Sequence, residues 1–280
     1  MNNIDAFFDI GIKPYYENKE HFIKLFCGDC LQILPRFPQN SIDIVFVDPP
    51  YFLSNGGITC HAGRMVSVNK GKWDVSQGIE ENHKFNLAWL SECQQVLTKN
   101  GAIWVSGTAH VIFSVGFAMQ QLGFKILNDI IWFKPNASPN LSCRYFTHST
   151  ETVIWAAKNQ KSKHTFNYEL MKELGNGKQM RNLWEISPPQ PREKIRGKHP
   201  TQKPLKLLER ILLASTNEGD IVLDPFNGSG STGVAALRLG RKYVGIEISQ
   251  EYLDLTVKRL EDEFTAPRLQ LTVDKASSLK

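Results

Sequence analysis

The segment from residue 221 to 249, IVLDPFNGSGSTGVAALRLGRKYVGIEIS, restricts the fold more than any other part of the chain. An apolar run at 221–223 leads into Gly228, Gly230 and Gly233, which have G-x-G-x-x-G spacing. A helical stretch at 231–239 and a second apolar run at 243–246 follow, and Glu247 closes the block. Strand, glycine turn, helix and strand in that order make one βαβ crossover. Glycine permits the tight turn and lets a ligand approach the backbone, while the first helical turn offers unpaired N–H groups. A carboxylate at the end of the next strand can accept hydrogen bonds from both ribose hydroxyls. The block therefore predicts a nucleoside pocket built from Asn227, Gly228, Ser229, Gly230, Ser231, Thr232, Glu247 and Ile248. The plainer alternative is a turn whose glycines serve packing alone.

Only 33 residues follow Glu247, too few for the remaining strands of a dinucleotide fold, so the rest of the sheet must come from the N-terminal half. β-branched and aromatic runs predict strands at 22–26, 42–47, 102–106, 126–133 and 152–156. Helices are predicted at 86–97, 110–121, 204–215, 231–239 and 250–264. This alternation implies an α/β fold with a mostly parallel central sheet. Residues 52–83 and 158–199 break the rhythm and are too long for ordinary connections. Asp224 and Phe226 place a carboxylate and an aromatic ring at the mouth of the pocket. They suit a cationic amino-acid tail and a purine, both of which S-adenosylmethionine carries.

A second block, IDIVFVDPPYFLSNGG, spans residues 42–57. Its strand ends at Asp48, Pro49, Pro50 and Tyr51, at the carboxyl edge where open α/β sheets bind ligands. The two prolines fix φ and hold the carbonyls of Asp48 and Pro49 outward as acceptors. With the Asp48 carboxylate and the Tyr51 ring, they suit an exocyclic amino group beside a stacked base. On its own the tetrapeptide is equally a turn.

Together, Asp48-Pro49-Pro50-Tyr51 and Phe226-Asn227-Gly228-Ser229-Gly230 resemble the amino-methyltransferases that modify adenine N6 or cytosine N4 in DNA. The tetrapeptide precedes the glycine loop, which is the permuted order of their β group. GDC at residues 28–30, GKHPTQKP at 197–204 and RYFTHSTETVIWA at 144–156 extend the likeness over roughly residues 20–264. The stretches YFLSNGG, NLSCRYFTHSTET and MKELGNGKQM are most similar to the second adenine methylase of restriction systems that recognise GATC. A GANTC methylase of the same group shares much of the pattern, and cytosine N4 is the alternative target. The resemblance implies a Rossmann-like, S-adenosylmethionine-dependent methyltransferase fold. It also implies cofactor contacts from Asp29, Cys30, Asp48, Thr201 and Lys203, with Thr201 and Lys203 on the methionine carboxylate. Transfer is then direct, to an adenine flipped out of the duplex onto Tyr51.

The expected organisation is one methyltransferase domain over 1–280, with a loop at 52–83 and a target-recognition insertion at 158–199. The basic residues Arg192, Lys194, Arg196 and Lys198 in that insertion are either a phosphate-tracking surface or a solvated face. A formal charge of +5 agrees with a DNA partner without requiring one. Double-stranded DNA is expected, with single-stranded DNA and a homodimer left open. No apolar run approaches a membrane span, and the first twenty residues lack the basic-then-apolar order of a secretion signal, so a cytoplasmic protein is expected. Five scattered cysteines predict no disulfide framework, and Cys27-x-x-Cys30 lacks a partner pair, so no metal is expected. Trp104, Trp132 and Trp155 lie in apolar runs and are expected in the core.

Overall fold

In the computed structural model, residues 10–54, 58–61, 64–67, 74–197 and 199–264 are described. The chain runs through β1 (Tyr16–Asn18), β2 (Ile23–Cys27), the short α1 (Cys30–Ile33) and β3 (Ile42–Val47). A hairpin, β4 (Ile58–His61) and β5 (Arg64–Ser67), precedes α2 (Ile79–Val96), β6 (Leu97–Gly107) and α3 (Ile112–Gln121). Next come β7 (Lys125–Phe133), β8 (Thr150–Ala157), α4 (Tyr168–Leu174) and β9 (Leu183–Glu185). The C-terminal part holds α5 (Leu205–Ser215), β10 (Ile221–Asp224), α6 (Ser231–Arg238), β11 (Lys242–Glu247) and α7 (Gln250–Phe264).

Strand β3 shows why the layers form. Its Ile44 and Phe46 join one core, while Val45 and Val47 point to the other face and join a second. A strand apolar on both faces must be covered on both. Helices α5, α6 and α7 cover the first face, and α1, α2 and α3 the second. The expected tryptophans lie in this interior, with Trp104 stacked on Trp155 at 4.8 Å.

The main sheet has nine strands in the order β1-β2-β11-β10-β3-β6-β8-β7-β9. Strands β2, β11, β10, β3 and β6 are mutually parallel, and β8 runs antiparallel to both neighbours. This is the mostly parallel α/β sheet expected. The permuted order is visible as the pairing of β2 with β11, Glu247 opposite Cys27, which makes the N-terminal strand a neighbour of the C-terminal unit. From β3 the chain moves through α2 to β6 on one side, and from β10 through α6 to β11 on the other. The sheet therefore reverses its winding between β3 and β10, and the crevice beyond their carboxyl ends is the ligand position of such folds.

Strand β3 and helix α7 have the predicted limits. Helix α2 begins seven residues before its predicted start, so residues 79–83 are helical and not part of a loop. Polar residues in its first turns weaken the apolar pattern there, while Trp89, Leu90 and Cys93 bury the later turns. The loop after Tyr51 also contains the hairpin β4–β5. Within 158–199, β9 pairs in parallel with β7 and α4 buries Met171 and Leu174 in the first core, so part of the predicted insertion belongs to the sheet. Among the described residues no helix is long and apolar enough to cross a membrane, and no cluster of metal-ligating side chains occurs.

Candidate active site

At the crevice between β3 and β10 lies a cavity of about 250 Å³, bounded by both sequence blocks. Asp48 and Pro50 form one wall, and Asp224, Phe226, Asn227 and Gly228 another. Ser229, Ser231, Thr232, Glu247 and Ile248 continue the second wall, while Asp29, Cys30, Thr201 and Lys203 close the rim. Fifteen predicted site residues thus line one cavity; Pro49, Tyr51 and Gly230 do not. Gly230 instead starts α6 at φ +71°, and a Cβ there would lie 2.4 Å from Thr256. Gly233 packs against the Tyr243 ring, where a Cβ would meet a ring carbon at 2.6 Å. The packing role left open for the glycines therefore applies to these two, while Gly228 faces the cavity.

Glu247 ends β11, where Oε2 accepts from the Gly228 N–H at 2.8 Å and Oε1 from the Ser249 N–H at 2.9 Å. Burial raises its pKa, and the backbone donors oppose that shift. Asp224 ends β10 and accepts from the Thr232 hydroxyl at 2.6 Å and the Phe226 N–H at 3.0 Å. Burial pushes its pKa up to about 7, and these two donors only partly oppose the rise. Phe226 is held edge-on by Trp89 and Phe85, at centroid distances of 5.8 and 6.2 Å.

Behind the glycine loop is a residue that the sequence did not single out. Arg259, on α7 and 7% exposed, donates through one nitrogen to the Ser229 hydroxyl and the Ser231 hydroxyl, both at 3.0 Å, and to the Ser229 carbonyl. Asn227 is fixed by the Tyr243 hydroxyl at 2.7 Å and donates to Thr256 at 2.8 Å. His199 packs edge-on against Tyr252 at 4.3 Å, and both border the cavity above Gly228. Asp29 caps α1 by accepting from the Leu31 N–H at 2.9 Å. The neighbouring Cys30 thiol is pushed up to about 12 by burial, which makes it a packing group and a poor nucleophile or metal ligand.

The tetrapeptide is held more tightly than its sequence suggests. Asp74, fully buried and 23 positions beyond Tyr51, accepts from the backbone N–H groups of Tyr51, Phe52 and Leu53 at 2.8, 2.7 and 3.2 Å. Ser54 adds a hydroxyl to it at 2.9 Å. Four donors on one carboxylate fix the chain just after the prolines, where Phe52 takes φ +57°. Tyr51 is itself 5% exposed, and its hydroxyl donates to Asp48 Oδ1 at 2.6 Å. Its ring is therefore not an open stacking face in this conformation.

Lys203 is placed differently from its expected role. Its ammonium is buried, donates to Asp48 Oδ2 at 2.5 Å and lies 3.8 Å from Glu151 Oε2. Glu151, on β8, also pairs with Lys134 and lies 3.3 Å from the Tyr51 hydroxyl. Two carboxylates and two ammonium groups thus form a cluster of zero formal charge. Burial works against the Lys203 ammonium, but Asp48 and Glu151 outweigh it and its pKa is raised. Burial also raises Asp48, and Lys203 opposes that shift. Thr201 contributes a carbonyl to Lys203 at 3.4 Å.

None of the expected DNA residues lines this cavity among the described residues. Arg192 and Lys194 belong to a short turn at 191–194, and Arg196 is paired with Asp262 through two contacts of 2.6 and 2.7 Å. Lys198 lies outside the described residues. Cys60 and His61 fall in β4, where only the backbone is described.

A glycine loop with a ribose-type acid, facing an acceptor-bearing Asp-Pro-Pro-Tyr turn across one cavity, defines an S-adenosylmethionine-dependent methyltransferase. Residues 42–258 match the DNA methylase family that comprises N6 and N4 enzymes, and the chain belongs to that family. It is 56% identical over 252 residues to the type II methyltransferase M2.DpnII of Streptococcus pneumoniae, covering 90% of this chain and 93% of that one. M2.LlaDCHI of Lactococcus lactis subsp. cremoris is 57% identical over 249 residues, covering 89% and 92%. Among solved structures, the M1.HpyAVI complex with S-adenosylmethionine superposes with a TM-score of 0.65 at 30% identity, covering 85% of this chain and 98% of that one.

Proposed function

We propose that the protein transfers a methyl group from S-adenosylmethionine to N6 of an adenine in duplex GATC, within a bacterial restriction system. The observation that carries this reading is the shared cavity in which Asp48 faces Asp224, Phe226 and Glu247. The cavity fits the cofactor: Glu247 has further lone pairs for ribose hydroxyls, Phe226 offers a braced ring, and Asp224 is a buried carboxylate suited to an ammonium. When bound, S-adenosylmethionine supplies an electrophilic methyl group. The chain's own residues do the rest. Asp48 and the Pro49 carbonyl accept hydrogen bonds from the amino group, which draws its lone pair out of conjugation with the ring. Asp48 takes the proton released as the nitrogen gains positive charge, a role that does not require a strong base. The acid stays oriented because Tyr51 and Lys203 occupy one lone pair on each oxygen. Asp48 in place of serine favours adenine over cytosine, as the family resemblance implies. Methylation of a mixed DNA library followed by base-resolution mapping is expected to show N6-methyladenine confined to GATC. Methylcytosine, or adenine in another site, would replace this reading.

Asp224 gives the cofactor step a pH dependence. Its pKa of about 7 means that part of the carboxylate is protonated at neutral pH, whereas holding an ammonium requires the ionised form. Affinity for S-adenosylmethionine is therefore expected to rise as pH increases through 7, up to the range of about 7.7–8.0 in which the cofactor's own α-amino group begins to lose its proton. In Asp224→Asn the affinity should be weaker and flat over the same range. Calorimetry from about pH 6 to about pH 7.5, below the titration of the cofactor's amino group, reads both.

We also propose that the turn at 191–194 and the residues after it meet the phosphate backbone. Replacing Arg192, Lys194 and Arg196 together with alanine is expected to flatten the salt dependence of DNA binding by about one log–log unit for each phosphate that is no longer neutralised. Arg196 should contribute least, because Asp262 already neutralises it. An unchanged slope in titrations at several salt concentrations would make the stretch a solvated face.

A further inference from the structure

The connection between β7 and β8 leaves and re-enters the sheet within the Asp48 cluster. Its first residue, Lys134, and the second residue of β8, Glu151, are paired with each other, and the Lys134 N–H also donates to the Ser149 carbonyl at 2.7 Å. The ends of the loop are thus clamped where Glu151 meets Tyr51 and Lys203. Its far part is shaped by Asn140. The Asn140 side chain donates to the Tyr145 carbonyl at 2.7 Å and accepts from the N–H and hydroxyl of Ser142 at 3.0 and 2.7 Å. The Asn140 N–H reaches Thr147 at 3.3 Å, and Cys143 takes φ +53° to complete the turn.

What this ordered loop presents is apolar. Phe146 is 96% exposed and Tyr145 63%, the former more than any other large hydrophobic side chain among the described residues. Arg144 and His148 flank them, and no acidic residue occurs from 134 to 150. Phe146 is five residues from Glu151, so an extended chain can carry its backbone no more than ~17 Å from the cluster. An exposed aromatic ring has no use in water, but a base pair that loses one base leaves a slot of aromatic shape in the stack. The absence of acids and the neighbouring arginine suit a polyanion.

We propose that Phe146, carried on the turn that Asn140 shapes, enters the duplex at the target and fills the place vacated by the flipped base. This rests on the reading of the protein as a duplex DNA methyltransferase. The ring then contributes chiefly where extrusion is costly, and less where pairing is already weak.

The test uses the full chain and a duplex carrying whichever site base-resolution mapping assigns to the parent enzyme. Single-turnover transfer is measured into the fully paired duplex and into one with a mismatch opposite the target base. For Phe146→Ala, transfer into the paired duplex is expected to fall ~10- to 100-fold, with most of the loss recovered on the mismatch, and Phe146→Trp should retain activity. A 2-aminopurine next to the target should be quenched on binding by the parent and not by Phe146→Ala. A melting curve that matches the parent's, recorded alongside, excludes misfolding as the cause of the loss. Equal losses on both duplexes, or no loss, would overturn the proposal. So would a change from dimer to monomer in sedimentation with transfer unaltered, which would assign the loop to self-association. A parent enzyme inactive on every duplex would instead remove the underlying reading.

Discussion

Asp48→Ala is expected to lower the single-turnover rate of methyl transfer by ~10²–10⁴-fold while leaving affinity for DNA and cofactor within a few-fold of the parent. The removed carboxylate matters most as the amino nitrogen becomes tetrahedral and sheds its proton, so its loss falls on the transition state and not on capture of the base. A 2-aminopurine at the target position should still brighten on binding, because flipping precedes the step that Asp48 serves. Asp48→Asn separates two functions of the group. It keeps an acceptor oxygen beside the Tyr51 hydroxyl but loses the charge opposite Lys203 and the capacity to take a proton. Its rate is expected to lie between those of the parent and Asp48→Ala. A rate near the parent's for either variant would reduce the tetrapeptide to a turn and move the reacting centre elsewhere.

The same cluster shows how much of the site was legible in the sequence. Asp48, the glycines and Glu247 are tied to backbone features that leave local marks: a strand end, prolines, a positive-φ glycine and a ribose acid at fixed spacing. Their shared cavity follows from the topology, which places the carboxyl ends of β3 and β10 side by side. Asp74, Glu151 and Arg259 have no such mark. Each acts on a partner 20 to 100 positions away, and only the tertiary structure brings them together. Lys203 is intermediate. Its segment carries the family resemblance, which points to the cofactor, whereas its ammonium lies against Asp48 because that carboxylate and Glu151 are the buried charges in need of a cation. Tyr51 is similar: ring chemistry suggested a stacking surface, but its hydroxyl has a carboxylate to satisfy within the protein. Gly230 and Gly233 fit the nucleotide-binding spacing, yet their missing side chains make room for Thr256 and Tyr243.

Lys203→Met follows from that charge balance and is expected to have the largest effect on stability. The variant leaves Asp48 and Glu151 facing each other in the interior with Lys134 as the one remaining cation of the cluster. Removing one partner of a buried ion pair costs about 3–5 kcal/mol, mainly because the other charge stays behind unpaired. The pH dependence has a definite sign. Without the ammonium, the Asp48 carboxyl rises further above its unfolded value, so the native state binds more protons than the unfolded state over the interval between the two. Stability of the variant relative to the parent should therefore fall as pH rises through that interval, giving a larger deficit at pH 8 than at pH 5.5. Denaturant unfolding at the two pH values measures it. Adding Glu151→Gln removes one of the two stranded charges and is expected to recover part of the loss, whereas Glu151→Gln alone should destabilise by removing the partner of Lys134. A deficit independent of pH, or no recovery in the double variant, would mean that Lys203 contributes through packing of its methylene stem and that Asp48 is oriented by Tyr51 alone.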